Sequence, residues 1–201
     1  MRRLEGFQRG INLGGWLSQG PLDKHHLDTF IVEDDIKKIA GWGADHVRLP
    51  LDYENVETEE GGDIEEGYRH IEDCISWCRK YNLNMVLDLH KTPGYIFDDQ
   101  DYSKDFFHNE ELQERFLNLW KKIISRLAKD ADIVMFELLN EVASFNVVDE
   151  WNELSARAVK VIREYAPTAR ILYGGVGYNL SLIHISEPTR LLSSSYAVFC
   201  L

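Results

Sequence analysis

Basic residues and cysteines are both in short supply. Only 22 lysines and arginines face 34 aspartates and glutamates, a net charge of −12. A surface of that sign repels phosphate backbones and anionic lipid, which excludes nucleic acid and membrane surfaces as partners and favours a neutral substrate. The three cysteines, Cys74, Cys78 and Cys200, are odd in number and cannot form a paired framework. Cys74 and Cys78 stand one helical turn apart and read as reduced apolar residues of a helix. No apolar run approaches the ~20 residues of a membrane span. The amino-terminal MRRLEGFQRG carries arginines but no apolar segment behind them. No secretory signal is therefore expected, and the reading is cytoplasmic, or secreted if a leader is missing from the sequence. The acids of Glu57 to Glu66 lack a metal-ligand spacing and read as a solvated loop, and no His-x-His pattern follows the first strand. Neither a metal nor a cofactor is expected.

What is present is a regular alternation of apolar patterns. Short runs at Arg9 to Leu13, His46 to Leu51, Asn84 to Leu89, Ile133 to Glu141 and Arg170 to Tyr173 read as five strands. Apolar residues spaced by three and four predict four helices between them: Thr29 to Gly41, a stretch through Tyr68, Ile71, Cys74, Ile75 and Cys78, Asn109 to Lys129, and Val148 to Tyr165. This order gives an α/β fold with a parallel sheet and helical crossovers. At 201 residues the chain makes one domain, short of the roughly 250 of a complete eight-unit barrel.

The stretch Ile133 to Glu141, IVMFELLNE, carries the chemistry. Its apolar body reads as a buried strand, and in strand-helix barrels reactive groups stand on strand ends and the loops beyond. Glu141 and Asn140 occupy that position. His90 ends the preceding strand in the same way. Arg48 lies inside a strand, where a guanidinium requires a carboxylate partner. Trp16, just past the first strand, is either a core residue or a platform for a flat apolar face. The loop from Lys91 to His108 is long and holds Tyr95, Phe97, Tyr102, Phe106 and Phe107, an aromatic rim around a polar floor. Cleaving a glycosidic bond needs a proton for the leaving oxygen and a second carboxylate, and aromatic rings suit the apolar faces of sugars. A non-catalytic carbohydrate-binding protein and another barrel hydrolase, such as a metal-dependent one, are the alternatives.

GINLGGWL, HVRLPLDYE, VLDLHKTPGY, FELLNE and YGGVGYN, in this order, resemble the cellulase family, glycoside hydrolase family 5, in its exo- and endo-β-glucanase branches. The resemblance covers about residues 6 to 179. It implies an incomplete TIM (β/α)8 barrel of about the first five strands and four helices, and a retaining hydrolase of β-glucan or cellulose-type bonds. By the same resemblance Glu141 is the acid/base, Asn140 contacts the sugar 2-hydroxyl, Arg48 holds the nucleophile and His90 belongs to the sugar-binding floor. Trp16 and Tyr178 follow as substrate-binding positions. The family's nucleophile lies on a seventh strand that this chain does not reach, so residues 1–201 alone are expected to be inactive and to expose the edge of the last strand. From Leu180 the pattern ceases, and SLIHISEPTR resembles translated sequencing-adapter DNA. Residues 1–179 are accordingly read as a partial barrel domain and 180–201 as a foreign tail, which leaves Glu187 without a role.

Overall fold

The computed structural model describes residues 4–103, 105–178 and 198–200. Strand β1 (Gly10–Asn12) leads through helices α1 (Lys24–Thr29) and α2 (Glu33–Gly41) to β2 (His46–Asp52). Helix α3 (Glu65–Lys80), β3 (Asn84–Lys91), the single turn α4 (Gln100–Ser103), α5 (Glu110–Leu127), β4 (Val134–Glu137), α6 (Val148–Tyr165) and β5 (Arg170–Gly174) follow. β6 (Val198–Cys200) pairs antiparallel with β5, while β1 to β5 are mutually parallel and lie side by side in chain order. A parallel sheet without reversal of strand order is the arrangement of a barrel wall rather than of a doubly wound sheet, in which the order turns back at a switch point.

Period-two alternation sorts each strand. Met85, Leu87 and Leu89 of β3, Val47, Leu49 and Leu51 of β2, and Val134 and Phe136 of β4 join one apolar core with Ile71, Ile75, Trp120, Ile123, Trp151 and Ile162 of the helices. Asp88 and His90 of β3, Arg48 of β2 and Glu137 of β4 are their alternates and occupy the opposite, inner face. The helices are bound to the sheet by more than apolar contact. Indole Nε1 of Trp120 donates to the Leu138 carbonyl at 3.0 Å, and that of Trp151 to the Gly174 carbonyl at 2.8 Å. Both acceptors lie at strand ends, which is where the chain departs toward the site.

Several expectations change. The helix expected over Thr29 to Gly41 starts only at Glu33, after Val32, and the short α1, capped by Asp23, precedes it unforeseen. The Glu57 to Glu66 stretch is not simply a solvated loop. Glu57 is buried and pairs with Arg115 and Lys122 of α5, Glu57 bridges Asp63 in β fashion, and Glu65 and Glu66 open α3. The strand expected over Ile133 to Glu141 stops at Glu137. The outer edge of β5, expected to be bare, carries β6. Cys74 and Cys78 lie buried together in α3, and the Cys78 hydrogen bond followed by burial holds the Cys74 thiol well above its ordinary range. Among the described residues no helix is long and apolar enough to cross a membrane. Glu187 and most of the tail lie outside the described residues.

Candidate active site

Arg48 organises the inner face. Its Nε donates to Glu137 Oε2 at 2.7 Å and its Nη2 to Glu137 Oε1 at 3.0 Å, a two-pronged pair across the sheet from β2 to β4. Nη2 also reaches Asn140 Oδ1 at 3.0 Å and Asp88 Oδ2 at 2.8 Å, and Nη1 donates to Asn12 Oδ1 at 3.1 Å. One guanidinium on β2 thus ties together side chains from β1, β3 and β4 and Asn140 beyond β4. Burial works against its charge, but Asp88 and Glu137 outweigh burial and hold its pKa above the usual guanidinium value. Asp88 Oδ2 also accepts from His90 Nδ1 at 2.7 Å, which leaves Nε2 as the other hydrogen-bonding atom of a ring packed edge-on to Phe97. Glu137 has a pKa pushed up to about 7, first by burial and then by the Asp88 charge, against the pull of Arg48.

Beyond Glu137 the chain leaves the ladder, yet its backbone stays bound. Leu138 N–H donates to Leu172 at 3.1 Å and Asn140 N–H to Leu89 at 3.0 Å. The Tyr95 hydroxyl donates to the Glu141 carbonyl at 2.8 Å and accepts from Ala143 N–H at 3.0 Å. Val142 bridges Val176, and Tyr178 N–H donates to the Val142 carbonyl at 3.2 Å. An unpaired backbone group buried here would cost about 1–3 kcal/mol, and this series of partners avoids that cost. Glu141, half-buried, is therefore presented by a fixed backbone above the Arg48 network.

Of the six site residues read from the sequence, Arg48, His90 and Asn140 meet in one network, and Glu141 adjoins it. Arg48 is not waiting for a carboxylate, because Glu137 and Asp88 already supply two. Trp16 is no platform. It is 1% exposed, its Nε1 donates to the Leu27 carbonyl at 2.8 Å, and its ring stacks with Trp77, so no face is open to a ligand. Tyr178 is exposed, with φ of 56°, next to the Val142 carbonyl that its backbone bonds. The aromatic rim is thinner than expected. Tyr95, Phe106 and Phe107 are buried against one another, whereas Phe97 is half-buried and Tyr102 exposed. Sequence reading passed over Glu137, Asp88 and Asn12 as Arg48 partners, although counting by twos from the strand-end His90 and back from Glu141 would have marked the first two as inward-facing. Among the described residues, Asp28, Glu66 and His70 alone are spaced closely enough to hold a metal ion. Lys24 and Arg69 already occupy both carboxylates, which makes the cluster an ion-pair network on the outside of the sheet.

A parallel wall in chain order, with an Asn-Glu pair beyond one strand end and a buried Arg-carboxylate floor on its inner face, is the wall of a strand-helix barrel. The sequence profile of Cellulase (glycosyl hydrolase family 5) matches residues 12–197, and the chain belongs to this family. Cellodextrinase A of Ruminococcus flavefaciens is 47% identical over 179 residues, covering 89% of this chain and 53% of that protein. Endoglucanase C of Acetivibrio thermocellus is 44% identical over 176 residues, 86% of this chain and 51% of that protein. The endoglucanase Cel5A of the hyperthermophile Thermotoga maritima superposes with a TM-score of 0.74 at 26% identity, covering 91% of this chain and 57% of that one. The chain spans about half the length of the curated relatives it matches.

Proposed function

We propose that the protein carrying this chain hydrolyses β-glucan, of the cellodextrin or cellulose type, with retention at the anomeric carbon, and that Glu141 is its acid/base. The observation that carries the reading is the single network in which Arg48 of β2 fixes Asn140, beside Glu141, to Asp88 of β3 and Glu137 of β4. Glu141 gives its proton to the leaving glycosidic oxygen as the C–O bond breaks and a glycosyl-enzyme bond forms, then takes a proton from the water that breaks that bond. Asn140, its Oδ1 engaged by Arg48, donates through Nδ2 to the sugar 2-hydroxyl. His90, whose Nδ1–H is given to Asp88, offers Nε2 to a sugar hydroxyl from the floor, and Tyr178 lines the rim. Family relatives named cellodextrinase and endoglucanase support this substrate class, as does the capture of Thermotoga maritima Cel5A with cellobiose.

Retention requires a second carboxylate roughly 5 Å from the first. Glu137 and Asp88 are committed to Arg48, so the proposal places the nucleophile in the half of the longer protein outside these residues and leaves 1–201 without turnover. Residues 180–201 are proposed to be foreign to the gene although the family match runs on to residue 197; finding SLIHISEPTR encoded in uninterrupted genomic DNA would overturn that part. The experiment on Glu141 compares two aryl cellobiosides in the longer protein. Glu141→Gln is expected to lower kcat/KM, which reports the first step, by about 10²–10⁴ for a leaving group that needs protonation, and far less for 2,4-dinitrophenolate, which departs without it. An equal loss on both substrates would remove Glu141 from the acid/base role.

A further inference from the structure

The Tyr95 hydroxyl bonds two backbone groups of the segment beyond β4. Leu138 and Asn140 bond to neighbouring strands and Val142 to the segment after β5, whereas the Glu141 carbonyl and the Ala143 N–H share one phenolic oxygen at 2.8 and 3.0 Å. A hydroxyl that donates to one backbone group and accepts from the next imitates a ladder partner.

That hydroxyl is itself held. Tyr95 and Thr92 exchange backbone bonds of 2.9 and 3.1 Å around a turn in which Gly94 takes a φ of 80°. A side chain at Gly94 would also strike Leu112. The Tyr95 ring packs at 5.4 Å on Phe106 and at 5.3 Å, edge-on, on Phe107, and only 2% of the residue is exposed. The loop after β3 thereby fixes the residue after β4 without touching its carboxyl. We propose that Tyr95 is the positioning residue of Glu141, setting the height and direction from which the carboxyl meets the leaving oxygen. This rests on the reading of Glu141 as acid/base. A misplacement of about 1 Å at a proton-transfer site can cost 10²-fold in rate.

The test uses the longer protein and the same pair of aryl cellobiosides. Tyr95→Phe keeps the ring and removes only the hydroxyl. It is expected to lower kcat/KM about tenfold or more on the substrate that needs protonation and to leave kcat/KM on the 2,4-dinitrophenyl substrate within about threefold. Phe107→Leu, which loosens the ring but keeps the hydroxyl, gives a smaller loss with the same dependence on leaving group, and decides the matter if Tyr95→Phe does not fold. Equal losses on both substrates, or none on either, overturn the positioning role. Glu141→Gln run in parallel separates the two ideas. If it discriminates between leaving groups while the Tyr95 and Phe107 variants do not, only the positioning role falls; if it does not discriminate, the acid/base assignment falls.

Discussion

Glu137 binds its proton more tightly in the folded protein than a free glutamate would, because burial and the neighbouring Asp88 disfavour its charge more than Arg48 favours it. Its pKa rises from 4.5 to about 7. Between those values the native chain holds a proton that the unfolded chain has released, so this contribution is complete below pH 4.5 and is lost as pH rises through 7. The full swing is about 3 kcal/mol. Glu137→Gln is neutral at every pH and removes it. Urea unfolding at pH 5 and pH 8 should show wild-type stability falling relative to Glu137→Gln by a sizeable part of that amount, and parallel pH profiles for the two proteins would refute the assignment. The functional counterpart is that Arg48, Asp88 and Glu137 form one charged cluster in the floor beside Glu141. Such a cluster has a reason to be buried only if it orients something, here Asn140 and His90. At this scale the sequence disclosed the need but not the answer. Arginine in a strand demands a carboxylate, yet which of several acids meets it depends on cross-strand register, and Asp88 opposite Glu137 appears only once β3 and β4 are paired.

Helix α3 shows how an element can carry a local cost for a global fit. Gly67 lies in its first turn, where alanine would ordinarily be worth up to about 1 kcal/mol more than glycine. A Cβ at Gly67 would lie 1.7 Å from the Asn55 carbonyl oxygen and 2.6 Å from its carbon. That carbonyl belongs to the short turn leaving β2, whose Asn55 Nδ2 donates to the Leu17 carbonyl at 2.7 Å, so it cannot yield without disturbing the loops around the barrel mouth. Gly67→Ala should therefore destabilise by about 1–3 kcal/mol, opposite in sign to helix propensity. A chemical denaturation midpoint equal to or above wild type would show that the turn yields freely. The helices themselves were legible because their periodic faces were long. α6 begins and ends where the sequence placed it, and α5 differs only at its termini, with Asn109 accepting from the N–H groups of Glu111 and Leu112. The misread elements were short or irregular. The α1 and α2 division, the Glu57 to Asp63 bridge and the buried aromatics after β3 depend on side chains distant in sequence, and no local period encodes them.

Across the whole molecule, two faces of one sheet follow different rules. The outer face was predictable, because alternating strands and helices force helices onto it, and the family motifs sit where that order places strand ends. The inner face was legible only as isolated polar residues, and the role of Trp16 came out on the core side because its ring lies against α3 residues such as Trp77. What remains is how the wall is held at its margins. β1 pairs with β2 alone, over three residues, whereas β3 is paired on both sides along most of its length. β6 contributes only three residues to the β5 edge. In a closed barrel every strand would be paired on both sides along its length. Hydrogen-bonded amides open in cooperative units whose stability follows burial and pairing. Amide exchange followed by mass spectrometry on residues 1–201 should thus be slowest in peptides from β2, β3 and β4, and markedly faster in those from β1 and β5. If the marginal strands were protected as well as β3, the wall would have to be closed by contacts other than the strand pairing that defines it, and the reading of this chain as part of a longer barrel would lose its structural ground.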